Sequence, residues 1–330
     1  MRKINNVYCD NWLNNGLSEK SANLIIADSP YFGVKGDFDF IWKSRDEFLV
    51  DVEKWAIECK RVLADNGTLF WYGSSKNIAY VQIILDKYFN LINSLVWNKG
   101  SFMGLEESDG LRSFAPCTER ILMYSNDFDV SSLDKIMFNP DNFKQIKDYL
   151  KSEKQKVITH YNFTAKQFNE YTLELGCSTT PYKNWFCNTG FWEMATKIMY
   201  EKLQLSGFFD KPYEELRKEY EELRKEYEHL RRPFNNVFNL QEVLNFSNEA
   251  AKTGAKYDHE TVKPESLTRA LILTCSRKGD LVAVPFAGSG TECAMSAKEG
   301  RQFIGFDIEQ KYVDMSNHRC FEILRQPQMF

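Results

Sequence analysis

Leu281-Val282-Ala283-Val284-Pro285-Phe286-Ala287-Gly288-Ser289-Gly290-Thr291 reads as a short apolar strand, a glycine turn and the start of a helix that runs to Lys298. Four consecutive apolar residues suit a strand buried on both faces, as in a parallel sheet. Glycines in the turn let a ligand approach the backbone, and the helix N-terminus then faces it. Phe303-Ile304-Gly305-Phe306-Asp307 is the next strand. It ends on an acid placed where a carboxylate can accept from both hydroxyls of a ribose. A glycine turn alone also serves as a plain structural corner. Turn and acid on neighbouring strands together point to an adenosine-containing ligand.

Outward from this stretch the pattern continues, breaks and resumes. Leu24-Ile25-Ile26-Ala27 is a strand that stops at Asp28-Ser29-Pro30. Residues 46–63 have helical periodicity, with Phe48, Val52, Trp55, Ala56, Cys59, Val62 and Leu63 on one face. Asp65-Asn66-Gly67 ends that helix, and 68–72 is a strand. Residues 78–89 read as a helix, and 91–97 and 120–124 as strands of a parallel α/β sheet. From about 130 to 258 the alternation is lost. This part is mostly helical, lysine-rich at 144–156, and contains a repeat: Tyr-Glu-Glu-Leu-Arg-Lys-Glu at 213–219 recurs at 220–226. The repeat's Tyr and Leu positions form a heptad stripe too short for a lone coiled coil, so it should pack on its own domain, with a dimer contact as the alternative. Its charges balance, which suits a solvated, self-paired helix. The sequence therefore predicts an α/β sheet with helices on both faces, divided as 1–128, a helical insert at 129–257, and 258–330.

Composition sets limits. The 330 residues are 43% hydrophobic and 27% charged, an ordinary globular balance, and no apolar run reaches the ~20 residues of a membrane helix. The N-terminus carries no apolar signal core, so a cytoplasmic location is expected. A net charge of −4 excludes a protein that coats nucleic acid by bulk attraction, though not a basic groove. Eight cysteines include no Cys-x-x-Cys pair and only four histidines are present, so no zinc site is expected.

The third glycine of the dinucleotide fingerprint would fall at 293, which is Cys, and no Gly-Lys-Ser/Thr is present after the turn. Without a phosphate device, a phosphate-free nucleoside cofactor is favoured, and S-adenosylmethionine is the common one. The second constellation, Asp28-Ser29-Pro30-Tyr31, joins a carboxylate, a stiff turn and an aromatic ring at a strand's carboxyl end. An acid and a backbone carbonyl there can accept from an exocyclic amine while the ring stacks on a base drawn out of its helix.

This tetrapeptide resembles the Asp-Pro-Pro-Tyr motif of DNA amino-methyltransferases. His259-Glu260-Thr261-Val262-Lys263-Pro264 is similar to the His-x-Thr-x-Lys-Pro segment that precedes the cofactor loop in that family, and 286–291 to the loop itself. The order of motifs is that of the family's beta class. The resemblance covers about 1–125 and 255–325. It implies a Rossmann-like methyltransferase sheet, a catalytic half before the insert, a target-recognition insert, and a cofactor-binding half after it. It further implies that Asp28, Ser29, Pro30 and Tyr31 are catalytic. Asp10 would contact the cofactor's adenine, unless it only caps a loop. Phe286, Gly288, Ser289, Gly290 and Thr291 would cradle the cofactor, Asp307 would hold its ribose, and His259, Thr261 and Lys263 would line its methionine end. Two positions depart from the family. Ser29 replaces a proline but keeps the backbone carbonyl, and Val284 replaces an acid whose contact is then missing.

The implied reaction is direct transfer of a methyl group from S-adenosylmethionine to the N6 amino group of adenine in double-stranded DNA. Cytosine N4 is the alternative acceptor. A nicotinamide dehydrogenase and an inactive DNA-binding protein that kept the fold are the rivals from other classes. In the insert, Tyr182, Lys183, Asn184 and Trp185 form a segment that could read DNA, with a buried core role for Trp185 as the competing reading. Lys144 and Lys147 are the phosphate candidates, set against an ordinary lysine-rich helix. A homodimer and a cognate restriction endonuclease remain open as partners, and no membrane is expected.

Overall fold

A computed structural model of the chain describes residues 2–34, 39–100, 114, 116–126, 143–177, 194–228, 232–247 and 262–325. The chain divides into two compact units, Met1–Phe128 with Arg232–Phe330, and Asp129–Arg231. The first carries eight strands among the described residues: β1 (Asn6–Cys9), β2 (Ala22–Ala27), β3 (Leu63–Gly73), β4 (Asn90–Asn98), β5 (Thr118–Ser125), β6 (Val243–Asn245), β7 (Leu281–Val284) and β8 (Gln302–Asp307). They form one sheet in the order β1-β8-β7-β2-β3-β5-β4-β6. All pairings are parallel except those of β5, which runs against both β3 and β4.

Helices cover both faces, and the strand alternation shows why. Leu24, Ile26, Phe70, Tyr72, Val282 and Val284 join one core with residues of α7 (Glu265–Cys275), α8 (Thr291–Lys298) and α9 (Gln310–Arg325). Their neighbours Ile25, Ala27, Leu69, Trp71 and Ala283 join the other, with α1 (Arg45–Val62) and α2 (Ile78–Leu85). Such period-two sorting on both faces is what a sheet buried between helix layers requires. Ile26 is fully buried, and its truncation to alanine should cost ~2–5 kcal/mol. Ser44 caps α1 by accepting from the Glu47 amide.

Cys293 occupies the place of the fingerprint's third glycine, whose usual purpose is close packing of helix on strand. Here the vacancy lies on the strand instead. A Cβ at Gly305 would fall 2.8 Å from Cys293 Sγ and 3.0 Å from Val7. The thiol packs into the space that the glycine of β8 leaves.

Three expectations are corrected. The first half is not wholly parallel, because β5 is antiparallel. Asp65-Asn66-Gly67 does not separate α1 from a later strand; β3 starts at Leu63, and the three residues lie in a register shift against β2. The second compact unit ends at Arg231 rather than 257, because β6 pairs with β4 and belongs to the sheet.

The second unit contains α3 (Lys144–Tyr161), α4 (Ala165–Glu174), α5 (Lys197–Gln204) and α6 (Tyr213–Glu228) among its described residues. A capping box of Thr164 and Gln167 starts α4, and Gly176, with φ +81°, lies just past its end. The heptad stripe packs within this unit: Leu216 is fully buried with Ile146, Leu150 and Tyr200, and Tyr213, Tyr220 and Leu223 lie against that core. On the outer face Arg217 pairs with Glu221 and Lys218 with Glu222.

Candidate active site

Four neighbouring strand ends make the site. β1, β8, β7 and β2 are adjacent and parallel, so the turns at their carboxyl ends emerge on one edge. Along that edge stand Asp10, Asp307, the 286–291 turn and Asp28. Strands lie ~4.8 Å apart, so this row spans roughly 15 Å. Residues distant in sequence thus share the sheet's carboxyl edge, where ligands of open α/β sheets bind.

The turn is built for close approach. Gly288 (φ +47°) and Gly290 (φ +75°) both take left-handed backbone. A Cβ on Gly290 would fall 2.7 Å from the Ser316 side chain and 2.8 Å from its Cα. The Gly288 amide donates to Asp307 Oδ2 (2.9 Å), and the Glu309 amide to Asp307 Oδ1 (3.0 Å). A carboxylate offers about four lone-pair positions, so acceptor capacity is left for hydroxyl groups. Burial raises the Asp307 pKa above its ordinary value, against the opposing pull of the Glu309, Gly288 and Ile308 amides. From α9, Ser316 Oγ donates to the Gly288 carbonyl, and Arg319 Nη1 donates to the Ser289 carbonyl and Thr291 Oγ. Ser289 and Thr291 are buried and braced in this way, so their side chains shape the turn. Phe286 stands edge-on to Trp55, 4.9 Å between ring centroids.

Asp10 lies beside Asp307: its amide donates to the Asp307 carbonyl at 2.9 Å. Its carboxylate accepts from Arg2, from the Asn11 amide and from Asn14. The Arg2 hydrogen bond, then that from Asn14, holds its pKa below the usual range. Asn11 caps the turn at Trp12–Asn14, and Asp10, just past the end of β1, braces it through the Asn11 amide and Asn14.

At β2 the chemistry changes to buried charge. Asp28 Oδ2 is 2.6 Å from Lys263 Nζ, and Asp28 Oδ1 accepts from the Tyr31 hydroxyl at 2.7 Å. Lys263 is 5% exposed, and its ammonium also lies 3.5 Å from Glu119 Oε2. The other Glu119 oxygen pairs with Lys99. Burial disfavours the Lys263 charge, but Asp28 and Glu119 outweigh it and raise its pKa. Burial likewise opposes ionisation of Glu119, and Lys263 and Lys99 reverse the sign. The Tyr31 phenol is pushed well up by burial and then by Asp28. Glu292, buried in the first turn of α8, is pushed up to about 7 by burial and then by the Asp28 charge. The Tyr72 hydroxyl is buried with no hydrogen-bond partner among the described residues. Ser29 is buried, and Asp39 holds the turn by accepting from the Tyr31 amide.

The structure thus gathers Asp10, Asp28 to Tyr31, Lys263, 286–291 and Asp307 on one edge. Lys263 differs in detail: the resemblance puts it at the methionine end of a cofactor, and its ammonium sits on Asp28. Nothing in the sequence pattern singles out Glu119 and Lys99. His259, Thr261, Tyr182, Lys183, Asn184 and Trp185 lie outside the described residues. In the second unit Lys144 is exposed, but Lys147 is 4% exposed on the face of α3 that carries Ile146 and Leu150. A phosphate contact by Lys147 is therefore withdrawn.

Comparison with known proteins decides the family. The model of the DNA methylase family, which spans N6 and N4 enzymes, matches residues 22–318. The chain belongs to this family. It is 32% identical over 323 residues to the type II methyltransferase M2.DpnII of Streptococcus pneumoniae, covering 92% of this chain and 84% of that one. It is 25% identical over 303 residues to the DNA adenine methyltransferase YhdJ of Escherichia coli K12, covering 91% and 76%. Among the curated relatives it matches, the chain spans 66% of the length of one and 95% of another. In fold, this methylase resembles the cytosine-N4-specific PvuII DNA methyltransferase, with a TM-score of 0.53 at 13% identity over 96% and 90% of the two chains.

Proposed function

We propose that the protein transfers a methyl group from S-adenosylmethionine to the N6 amino group of adenine in double-stranded DNA. The observation that carries this is the common edge: the Asp28 turn and the glycine turn leave adjacent parallel strands. The residues present fit the cofactor. Asp307 keeps acceptor capacity for ribose hydroxyls, the left-handed glycines open a cradle at the α8 N-terminus, and Asp10 follows β1 beside Asp307. When bound, S-adenosylmethionine supplies an electrophilic methyl on a sulfonium.

The adenine amine is a poor nucleophile because its lone pair is delocalised into the ring. Asp28 and the Ser29 carbonyl accept hydrogen bonds from its two N–H groups and return electron density to the nitrogen, and Asp28 takes the one proton that the methylated nitrogen gives up. Tyr31 stacks on the extruded base and fixes its height. Charge complementarity and positioning supply the acceleration, and no cysteine is needed as nucleophile. An acid at the first motif position and the likeness to an enzyme named for adenine favour N6. Mass spectrometry of nucleosides from methylated DNA separates N6-methyladenine from N4-methylcytosine. Transfer of tritiated methyl to unmethylated DNA tests the activity itself, and no transfer by a cofactor-bound protein sinks it in favour of an inactive DNA binder.

On this reading the second unit recognises the target. Lys144 remains a phosphate candidate, and 182–185 the candidate reader. A cytoplasmic location and a cognate restriction endonuclease belong to the proposal. Among the described residues no helix is long and apolar enough to cross a membrane. The stripe on α6 packs within its own unit, so it gives no support to a homodimer.

A further inference from the structure

We propose that Glu119 is a positioning residue for methyl transfer, sharing the Lys263 ammonium with Asp28 so that the catalytic carboxylate is not that cation's only counter-ion. The inference rests on the reading of Asp28 as acceptor of the target amine.

During transfer the nitrogen–carbon bond forms as the sulfur–methyl bond breaks, a neutral thioether leaves, and the positive charge passes to the nitrogen, which then loses one proton to solvent by way of Asp28. A carboxylate at that nitrogen stabilises this charge only if it is not already neutralised. Asp28 has a buried ammonium 2.6 Å away, an arrangement that alone would cancel it. Glu119 changes the sum. Its Oε2 faces the same ammonium at 3.5 Å, while Lys99 holds its other oxygen and fixes its orientation. Asp28, Glu119, Lys263 and Lys99 together carry two charges of each sign, and only Lys263 is deeply buried, at 5% exposure. Two half-buried carboxylates therefore share that ammonium, whereas without Glu119 the set would hold two cations and Asp28 alone to answer them.

Tyr31 supplies a second argument. Its hydroxyl has one proton, now given to Asp28 at 2.7 Å, and Glu119 Oε2 stands 3.3 Å away as another acceptor. When Asp28 turns to the amine of an incoming base, both of its present donors have Glu119 to move toward. No buried donor is stranded, which would otherwise be costly.

The test is single-turnover transfer of tritiated methyl to unmethylated DNA by the wild type, E119Q, E119D and E119Q/K263M, with cofactor affinity by calorimetry and folding by thermal unfolding. E119Q should slow transfer about 10- to 100-fold at saturating cofactor and DNA, with cofactor affinity changed by less than about twofold. E119D, which keeps the charge, should recover most of the rate. E119Q/K263M should be faster than E119Q, because the unshared cation is gone. A purely structural role predicts neither recovery. Should E119Q not fold, K263M against E119Q/K263M decides: rates within about threefold support the proposal, and a loss of about tenfold overturns it. A folded E119Q as fast as the wild type, or a double variant no faster than E119Q, also overturns it and leaves the functional reading intact. A wild type that binds cofactor and transfers nothing overturns that reading, and this inference with it.

Discussion

The two halves of the sheet's carboxyl edge are made of different materials. At β8 and β7 the groups are backbone amides, carbonyls, two left-handed glycines and one carboxylate. At β2 and β5 they are Asp28, Glu119, Lys263 and Lys99, arranged as alternating charges. One half works by shape, so steric change should damage it. The other works by charge balance, so isosteric changes that alter only charge should damage it. This division makes the molecule testable residue by residue.

The largest effect is expected on the charged side. Asp28→Ala should lower methyl transfer by at least about 1,000-fold and leave cofactor binding in place, measured by turnover and calorimetry on one preparation. Loss of cofactor binding would erase the division between the halves. On the shaped side, Gly290→Ala places a methyl group against Ser316 at a left-handed position. A destabilisation of about 2–4 kcal/mol and weaker cofactor binding are expected, by urea unfolding and calorimetry. An unchanged Gly290→Ala protein breaks the steric half of the comparison.

Glu292 sits at the seam, and its sign can be worked out. Its pKa is 4.5 when unperturbed and about 7 in the fold. Below 4.5 the acid is protonated folded or unfolded, and it imposes no penalty. Between 4.5 and about 7 the unfolded chain ionises first, so stability falls as pH rises, and above 7 the penalty is complete. Glu292→Gln should remove this slope, gaining up to ~3 kcal/mol at pH 8 relative to pH 4. Urea unfolding across that range checks it, and parallel slopes for parent and variant refute it. The smallest effect belongs to Tyr72→Phe, which deletes an unpartnered buried hydroxyl. Stability should change by less than about 1 kcal/mol, or rise. A larger loss on thermal unfolding would mean that the hydroxyl has a partner.

Much of the steric half is legible in the sequence. Four apolar residues, a glycine turn and a strand ending in Asp307 are local signals, and the structure forms β7, α8 and β8 where the pattern puts them. The charged half is only half legible. Asp28 announces itself beside Pro30 and Tyr31, but Lys263 reaches it from far along the chain. Glu119 and Lys99 meet through the pairing of β4 with β5, where Trp97 lies opposite Glu119. Periodicity reveals neither pairing nor strand direction, which is also why an antiparallel β5 is not foreseen. Lys147 is a different case. Ile146, Leu150 and Val157 mark the inner face of α3, and their helical phase carries Lys147 with them. Counting lysines conceals what the phase already says.

Thr68 ties together two stretches of the sheet unit that are far apart in sequence. Ser125, at the end of β5, is the register partner of Thr68, and Arg232 donates to the Thr68 hydroxyl at 3.4 Å. Within the sheet unit, positions 125 and 232 thus meet at a single residue, although more than a hundred residues lie between them in sequence. A chain that joined those two points directly would keep the order of every strand, so the sheet's connectivity makes no demand on what is written between them.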